Sequence, residues 1–305
     1  MRLYWQGVDI TERVNIVGCV HRDVSGGRCD ALELTLDHAS VWYRWAPQED
    51  DEILLVHDRY STGKLYLNAV IPLAGQYRIL ATSVNRAAAR QAWGSYHDTT
   101  LRGIFESCAA ECRMQAKLFG IDGELPFSFA LRRYEGPAAF LNRIGEWEGL
   151  AVKALNGAFR GVAVEYAQKR DPDMRIEITP SQEGVTYRRW ESHKYTGITV
   201  QTPHARATAR DAGAKGDNAP IITCLPAMDN AQAGRWARGL LLMHNRRAEE
   251  IIIEQTLNTE LSALARVDVT GATDMTGSWI AEEAAHDFVN KRTTARLLRV
   301  IDTIQ

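Results

Sequence analysis

The sequence predicts an α+β, β-rich fold in which two small β-barrel-like domains flank an α/β domain. Three observations predict it. Residues 1 to about 95 hold a succession of short stretches that alternate apolar and polar residues, with few helical patterns. From His97 to Gly157 two runs carry the three-four apolar spacing of helices, and from Gly184 the short alternating stretches return. The divisions fall at 1–95, 96–183 and 184–305, the last with a helix-strand embellishment near 229–256.

In the first segment RLYWQGVDIT reads as a strand and a turn. RVNIVGCVHRDV and RCDALELTLDHA alternate as two strands, with Ser25-Gly26-Gly27 between them as a hairpin-type turn. VWYRWAPQEDDEILLVHD places Trp42 and Trp45 near a charged loop and Ile53 to Val56 in a strand, and GKLYLNAVIPL and QYRILATSVNR supply two more. Six or seven strands in about 85 residues suit a small barrel better than a sandwich of two full sheets.

The alanine-rich AAARQAWGSYHDTT reads as a link. In TLRGIFESCAAEC, Thr99 or Thr100 can cap a helix whose buried face is Leu101, Ile104, Phe105, Cys108, Ala109 and Cys112. Gly120, Gly123 and Pro126 then break the helix, and Phe127, Phe129 and Leu131 alternate as one strand. The second helix starts at Pro137, carries Phe140, Leu141, Ile144 and Trp147 as its apolar stripe, and stops at Gly149, with a strand from Leu150 to Leu155 directly after it. AFRGVAVEY and MRIEITP read as paired strands around a turn at Asp171-Pro172-Asp173.

After Gly184, VTYRRWESHKY and GITVQT read as strands, and His204 to Pro220 reads as an exposed loop without apolar period. Asp229 caps a further helix with Trp236, Leu240, Leu241 and Met243 on its apolar side. The three isoleucines of EEIIIEQTL predict a strand buried on both faces. LARVDVTG, GSWIAEEAAHDFV and TTARLLRVI close the chain as antiparallel strands, although IAEEAAHDF is equally compatible with a helix.

Composition narrows the function classes. Hydrophobic residues make up 45% and charged residues 24%, which predicts a folded domain and excludes a disordered chain. A net charge of −2 and a pI near 6.5 give no basic surplus for gripping phosphate backbones. There is no apolar run of about 18 residues, and MRLYWQGVDITERV lacks the apolar core of a signal peptide, which predicts cytoplasmic synthesis without export. Five cysteines, Cys19, Cys29, Cys108, Cys112 and Cys224, are odd in number and scattered, which predicts reduced, mostly buried thiols. Cys108 and Cys112 have no matching Cys or His pair for a zinc site, so core packing is expected of them.

Catalytic constellations are sought among His21 with Asp23, His57 with Asp58, His286 with Asp287, and Cys19 with His21. Strand alternation sets His57 against Asp58 and His286 against Asp287 on opposite faces, whereas Cys19 and His21 share one. Glu146 with Glu148 and Glu282 with Glu283 are carboxylate pairs most simply read as solvated faces. Gly213-Ala214-Lys215-Gly216 lacks the spacing of a P-loop, and no GxGxxG occurs. The eight tryptophans, Trp5, Trp42, Trp45, Trp93, Trp147, Trp190, Trp236 and Trp279, are scattered, as core and interface anchors are. No catalytic, cofactor-binding or metal-ligating residue is assigned, and no enzyme activity is expected.

The N-terminal order of Trp5, Gly7, Asp9, Ile10 and Thr11, then RDVSGGRCDALELTLDHA and a tryptophan-proline loop before EDDEILL, resembles the baseplate hub proteins of contractile-tailed phages, including the Mu-like hub and the late-control D proteins. TLRGIFESCAAEC and FALRRYEGPAAFLNRIGEWEGLAVKALNG are similar to that family's second domain, and GSWIAEEAAHDFVNKRTTARLLRVI to its closing strands. The chain is shorter than many hubs, and the loop from His204 to Pro220 has no counterpart in the pattern. The resemblance implies a homotrimer in which two similar small barrels per subunit make a pseudo-sixfold ring joining the tail tube protein to the central spike protein. It further implies DNA passing through the ring without specific binding, no membrane-spanning segment, no cofactor, and a place in the virion baseplate after synthesis in the host bacterial cytoplasm. The alternative is a tail-associated cell-wall hydrolase, which needs titratable groups converging in a cleft around Glu146 and Glu148 or Cys19 and His21. A carbohydrate- or peptide-binding module would instead need a row of exposed tryptophans.

Overall fold

The computed structural model describes residues 1–37, 47–179 and 181–305; Trp42 and Trp45 lie outside them. Elements are numbered along the chain. The first β-module is built from β1 (Arg2–Trp5), β2 (Val8–Asp9), β3 (Asn15–Val24), β4 (Ala31–Asp37), β5 (Glu52–His57), β6 (Tyr60–Ser61), β7 (Leu65–Leu73) and β8 (Gln76–Thr82). The alternation visible in the sequence sets its inside. Leu32, Leu34 and Leu36 of β4 and Tyr77, Ile79 and Ala81 of β8 enter one core with Leu3, Ile53, Leu55 and Leu65. Each aliphatic side chain of this size contributes roughly 1.5–3 kcal/mol when fully buried.

The second β-module is built from β14 (Met174–Ile178), β15 (Val185–Arg189), β19 (Glu249–Thr256), β20 (Arg266–Gly271), β21 (Gly277–Asp287) and β22 (Arg292–Arg299), around a separate core that holds Ile178, Ile251, Ile253, Val267, Trp279 and Leu297. The two modules share a strand order. Across the first the order is β1, β5, β7, β8, β4, β3, and across the second it is β14, β20, β21, β22, β19, β15. Leaving aside the two-residue strands β2 and β6, both therefore run first, fourth, fifth, sixth, third, second in chain order. Every neighbour pair is antiparallel in both, except that β14 lies parallel to β20 where β1 lies antiparallel to β5. Antiparallel pairing of β3 with β21 joins the modules into a single 14-stranded sheet.

Between them lies an α/β layer of α1 (Arg86–Ala89), β9 (Ala92–Thr100), α2 (Leu101–Glu111), β10 (Gln115–Phe119), β11 (Pro126–Glu135), α3 (Pro137–Glu148), β12 (Leu150–Leu155), β13 (Ala158–Ala163), α4 (Val164–Lys169), β16 (Gly197–Gln201), β17 (Arg206–Arg210), β18 (Ile221–Ile222) and α5 (Asn230–Asn245). The caps are those read from the sequence. The Thr100 side chain accepts from the Gly103 amide, Asp229 from the Gln232 amide, and Gly149 ends α3 in the left-handed region at φ 69° before β12 begins. Where α3 meets α5 the backbones touch: a Cβ on Gly149 would lie 3.2 Å from the Gly239 Cα, and one on Gly239 would lie 2.5 Å from the Gly149 nitrogen.

Several expectations are corrected. AFRGVA and MRIEI do not pair: β13 has β10 parallel on one side and β12 antiparallel on the other, so both its edges are taken, and β14 aligns with β20 instead. The Asp173 carboxylate fixes that alignment by accepting from the Arg266 amide at 2.8 Å. The alanine-rich link contains β9, whose half-buried face is Ala92, Gly94 and Tyr96, too small in its first two residues to reveal an alternation. The strand β10 was not anticipated. Within the expected loop from His204 to Pro220, β17 pairs with β16 and packs on α5 through Ala207 and Ala209. Residues 197–245 accordingly join the core of the α/β layer, with Ile198, Val200 and Trp236 beside Phe105, Phe140 and Ile144. IAEEAAHD is strand, and in β19 Ile251 and Ile253 are buried while Ile252 is half-buried.

Candidate functional site

The three cores meet at one junction, which the residues of the β3–β4 turn create. Gly26 has no side chain, and a Cβ there would lie 3.1 Å from the Val152 nitrogen and 3.2 Å from its oxygen, so the turn rests on the backbone of β12. The Gly27 amide donates to Asn142 Oδ1 of α3 at 2.9 Å. Lys153, on β12, reaches into the same place. Its ammonium donates to Asp23 on β3, to Asp30 Oδ1 at 2.9 Å and to the Val24 carbonyl at 3.1 Å. Asp23 in turn accepts from the Ala263 amide at 3.0 Å, which ties in the second module.

One ammonium thus serves two buried carboxylates. Burial pulls Lys153 down, but Asp23 and Asp30 outweigh it and hold the ammonium above its ordinary value. Burial pushes the Asp30 carboxyl up to about 6, against the pull of Lys153 and with the help of the like charge on Asp23.

From the second module comes Glu282. A bulge between Ala281 and Glu283 of β21 turns its carboxylate inward, where it accepts from Arg246 Nη2 at 2.5 Å and from the Ser25 hydroxyl. Burial raises its pKa, but Arg246 and the Ser25 hydroxyl outweigh burial and hold Glu282 below the usual carboxylate value. The cavity here has a volume of about 380 Å³ and brings Gly26, Asn142, Glu146, Arg246, Arg247 and Glu282 together. Its acidic groups are occupied by cations: Glu146 faces Arg247 at 3.4 Å and Glu282 faces Arg246.

The seam itself carries histidines. His21 of β3 and His286 of β21 are cross-strand partners, and both are buried. His21 Nδ1 lies 2.6 Å from the Tyr60 hydroxyl and His286 Nδ1 lies 3.0 Å from the Thr293 hydroxyl. Burial pushes the His21 imidazole down to about 3 and the Cys19 thiol up to about 12. Cys19 and His21 do share the inward face, yet at neutral pH they are a thiol and a neutral imidazole, the reverse of an activated pair.

The remaining sequence candidates are dispersed. Asp58 adopts a left-handed φ of 53° after β5, which swings its carboxylate to 3.6 Å from His57 Nε2, so strand alternation does not separate that pair. Asp287 faces away from His286 and caps the following turn through the Val289 and Asn290 amides. Glu148 is not a solvated group: its buried carboxylate accepts from Arg235 at 3.2 Å and from the Trp236 indole at 2.7 Å, clasping α3 to α5. Glu283 pairs with Arg28 at 2.7 Å. Cys108 and Cys112 lie in the α/β core, and burial lifts their thiols to about 11 and about 12. Trp5, Trp147, Trp236 and Trp279 are buried, Trp190 is half-buried and Trp93 is exposed. No helix among the described residues is long and apolar enough to cross a membrane.

Two β-modules of one strand order, set around an α/β layer, make an architecture that phage tail proteins also have. The chain is similar over nearly its whole length to the 43 kDa tail protein of prophage MuSo2 from Shewanella oneidensis, with a TM-score of 0.74, 11% identity, and 98% of this chain and 97% of that chain covered. A tail protein from Neisseria meningitidis matches with a TM-score of 0.76 at 9% identity, covering 98% of this chain and 95% of that chain. A component of the type VI secretion system of E. coli matches with a TM-score of 0.64 at 11% identity, covering 99% of this chain and 78% of that chain. No family model matches the sequence, and no curated protein matches it. At these identities the likeness is one of fold, and at that level the resemblance read from the sequence is borne out, as is the β-rich α+β class.

Proposed function

We propose that the chain is a structural hub of a phage-tail baseplate or a related contractile injection machine, three copies of which close into a ring between the tail tube and the central spike. The observation that carries this reading is the repeated strand order. Two modules of one topology in a single chain give three subunits six similar outward units, which is what a threefold part needs to meet a sixfold tube. The whole-length likeness of fold to prophage tail proteins supports the same reading.

The junction gives this work a physical basis. A ring transmits load only if its two modules hold a fixed relation, and the Lys153, Asp23 and Asp30 cluster with the β3–β21 pairing holds them. On this reading the activity is adhesion without turnover, DNA passes without being gripped, and the protein's place is the virion tail. Sedimentation equilibrium of the purified chain tests it: a species of three times the chain mass is expected above micromolar concentration, and a closed dimer is incompatible with it.

A further inference from the structure

A cavity with a charged lining lies away from the junction, between the α/β layer and the second module. It has a volume of about 620 Å³, and its walls carry Lys169 of α4, Arg238 of α5, Arg266 of β20 and Arg299 of β22, against Glu165 and Asp302. Four cations face two carboxylates. On the helical wall two cations share one carboxylate: Glu165 Oε1 accepts from Arg238 Nε at 2.6 Å, and Glu165 Oε2 lies 3.9 Å from Lys169 Nζ.

The strand wall is different. Arg266 donates to the Arg170 carbonyl and to Ser278 Oγ at 3.1 Å, and its Nε is buried without a hydrogen-bond partner. Arg299 is held in place by packing: its guanidinium lies 4.8 Å over the Trp279 ring, and a Cβ on Gly277 would come within 3.0 Å of both its terminal nitrogens. Its nearest carboxylate oxygen, on Glu249, is 3.9 Å from Nε, and its Nη1 is buried without a partner. Its side chain remains 31% exposed and lines the cavity. Two guanidiniums held on one wall of a pocket of the size that small ligands occupy offer N–H donors and positive charge to a charged oxygen group.

We propose that this cavity is an oxyanion-binding site, in which Arg266 and Arg299 together hold one phosphate- or carboxylate-type group. A guanidinium that is already stacked gives up little freedom when it binds, and a planar fork matches two oxygens at once. The site is separate from the junction and does not depend on how many copies assemble.

Calorimetric titration of the full chain with inorganic phosphate and, separately, with citrate tests it, with sodium chloride holding ionic strength constant. Saturable binding of phosphate alone assigns the site to phosphate groups, of citrate alone to carboxylates, and of both to either; each supports the proposal. Arg266→Gln and Arg299→Gln should each weaken that binding at least about tenfold, whereas Lys169→Gln, on a side chain that is 80% exposed and held by no packing, should change it less than about threefold. If Arg299→Gln does not fold, Arg299→Lys keeps the charge without the fork and should still weaken binding. Absence of saturable binding of either probe to the wild-type chain overturns the proposal, and so does undiminished binding in both Arg266→Gln and an Arg299 variant.

Discussion

His21 and His286 face one another across the antiparallel pair that sews the two β-modules together, each with its Nδ1 at a hydroxyl and the His21 Nε2 buried without a partner. Tyr60, Thr293, Asp23 and Lys153 surround them, with Asp30 behind Lys153. An added proton at either ring would place a positive charge at the seam, so the join should be acid-sensitive.

The sign follows from linkage. His21 is held at about 3 against 6.5 for the unfolded chain, so the unfolded state binds the extra proton between those values and stability falls as pH drops through that window. His286 is lowered too and acts in the same sense. Asp30 opposes them: raised to about 6 from 3.8, it takes up its proton first in the folded state and adds stability as pH falls from 6 toward 4. Two histidines outweigh one carboxyl, and each pH unit is worth up to about 1.4 kcal/mol per group. Urea midpoints should therefore be lower at pH 5 than at pH 7.5, and a midpoint that rises on acidification contradicts this account of the seam.

Lys153 and Asp30 should respond unequally to substitution. Lys153→Met leaves the Asp23 and Asp30 carboxylates buried without their cation, a loss of about 3–5 kcal/mol. Asp30→Asn retains an oxygen for the Val24 amide and leaves Lys153 with Asp23, so about 1–2 kcal/mol is expected at pH 7.5. Asp30→Asn also deletes the opposing proton uptake and should make the loss of stability between pH 6 and 4 steeper than in the wild type. Chemical denaturation at three pH values reads both effects.

Two glycines of α5 should move stability in opposite directions. Alanine at either gains up to about 1 kcal/mol of helix propensity. At Gly234 the new methyl would meet Ala207 at an ordinary 3.7 Å, so Gly234→Ala should raise the melting temperature. At Gly239 it would press on the Gly149 nitrogen at 2.5 Å and on the Trp147 carbonyl oxygen, which cannot withdraw without separating α3 from α5. Crowding of that kind costs about 1–3 kcal/mol, so Gly239→Ala should lower the melting temperature despite the better helix former.

The elements with long apolar residues were legible in the sequence, and the elements built from small ones were not. Leu32, Leu34 and Leu36 announce β4, and the stripe from Phe140 to Trp147 with its glycine stop announces α3 and β12 to the residue. By contrast β9 shows its sheet face through Ala92 and Gly94, and β17 packs on α5 through Ala207 and Ala209. Short side chains leave weak periodicity, and what fixes these strands is a partner far along the chain. The junction was hidden for a related reason. The Ser25-Gly26-Gly27 turn was readable, but its purpose, a backbone resting on Val152, depends on residues more than a hundred positions away. Lys153 is the one polar residue of β12, and such a residue, alone on a strand buried along its length, is the signal that a buried counter-charge exists elsewhere.

The central claim is that two modules of one topology per chain let three copies present six similar units. Electron-microscopic class averages of the assembled protein, viewed end-on, test it most directly. A closed ring of three subunits with six comparable lobes around its rim is the predicted result; a ring with only three lobes, or with any other number of subunits, would contradict it.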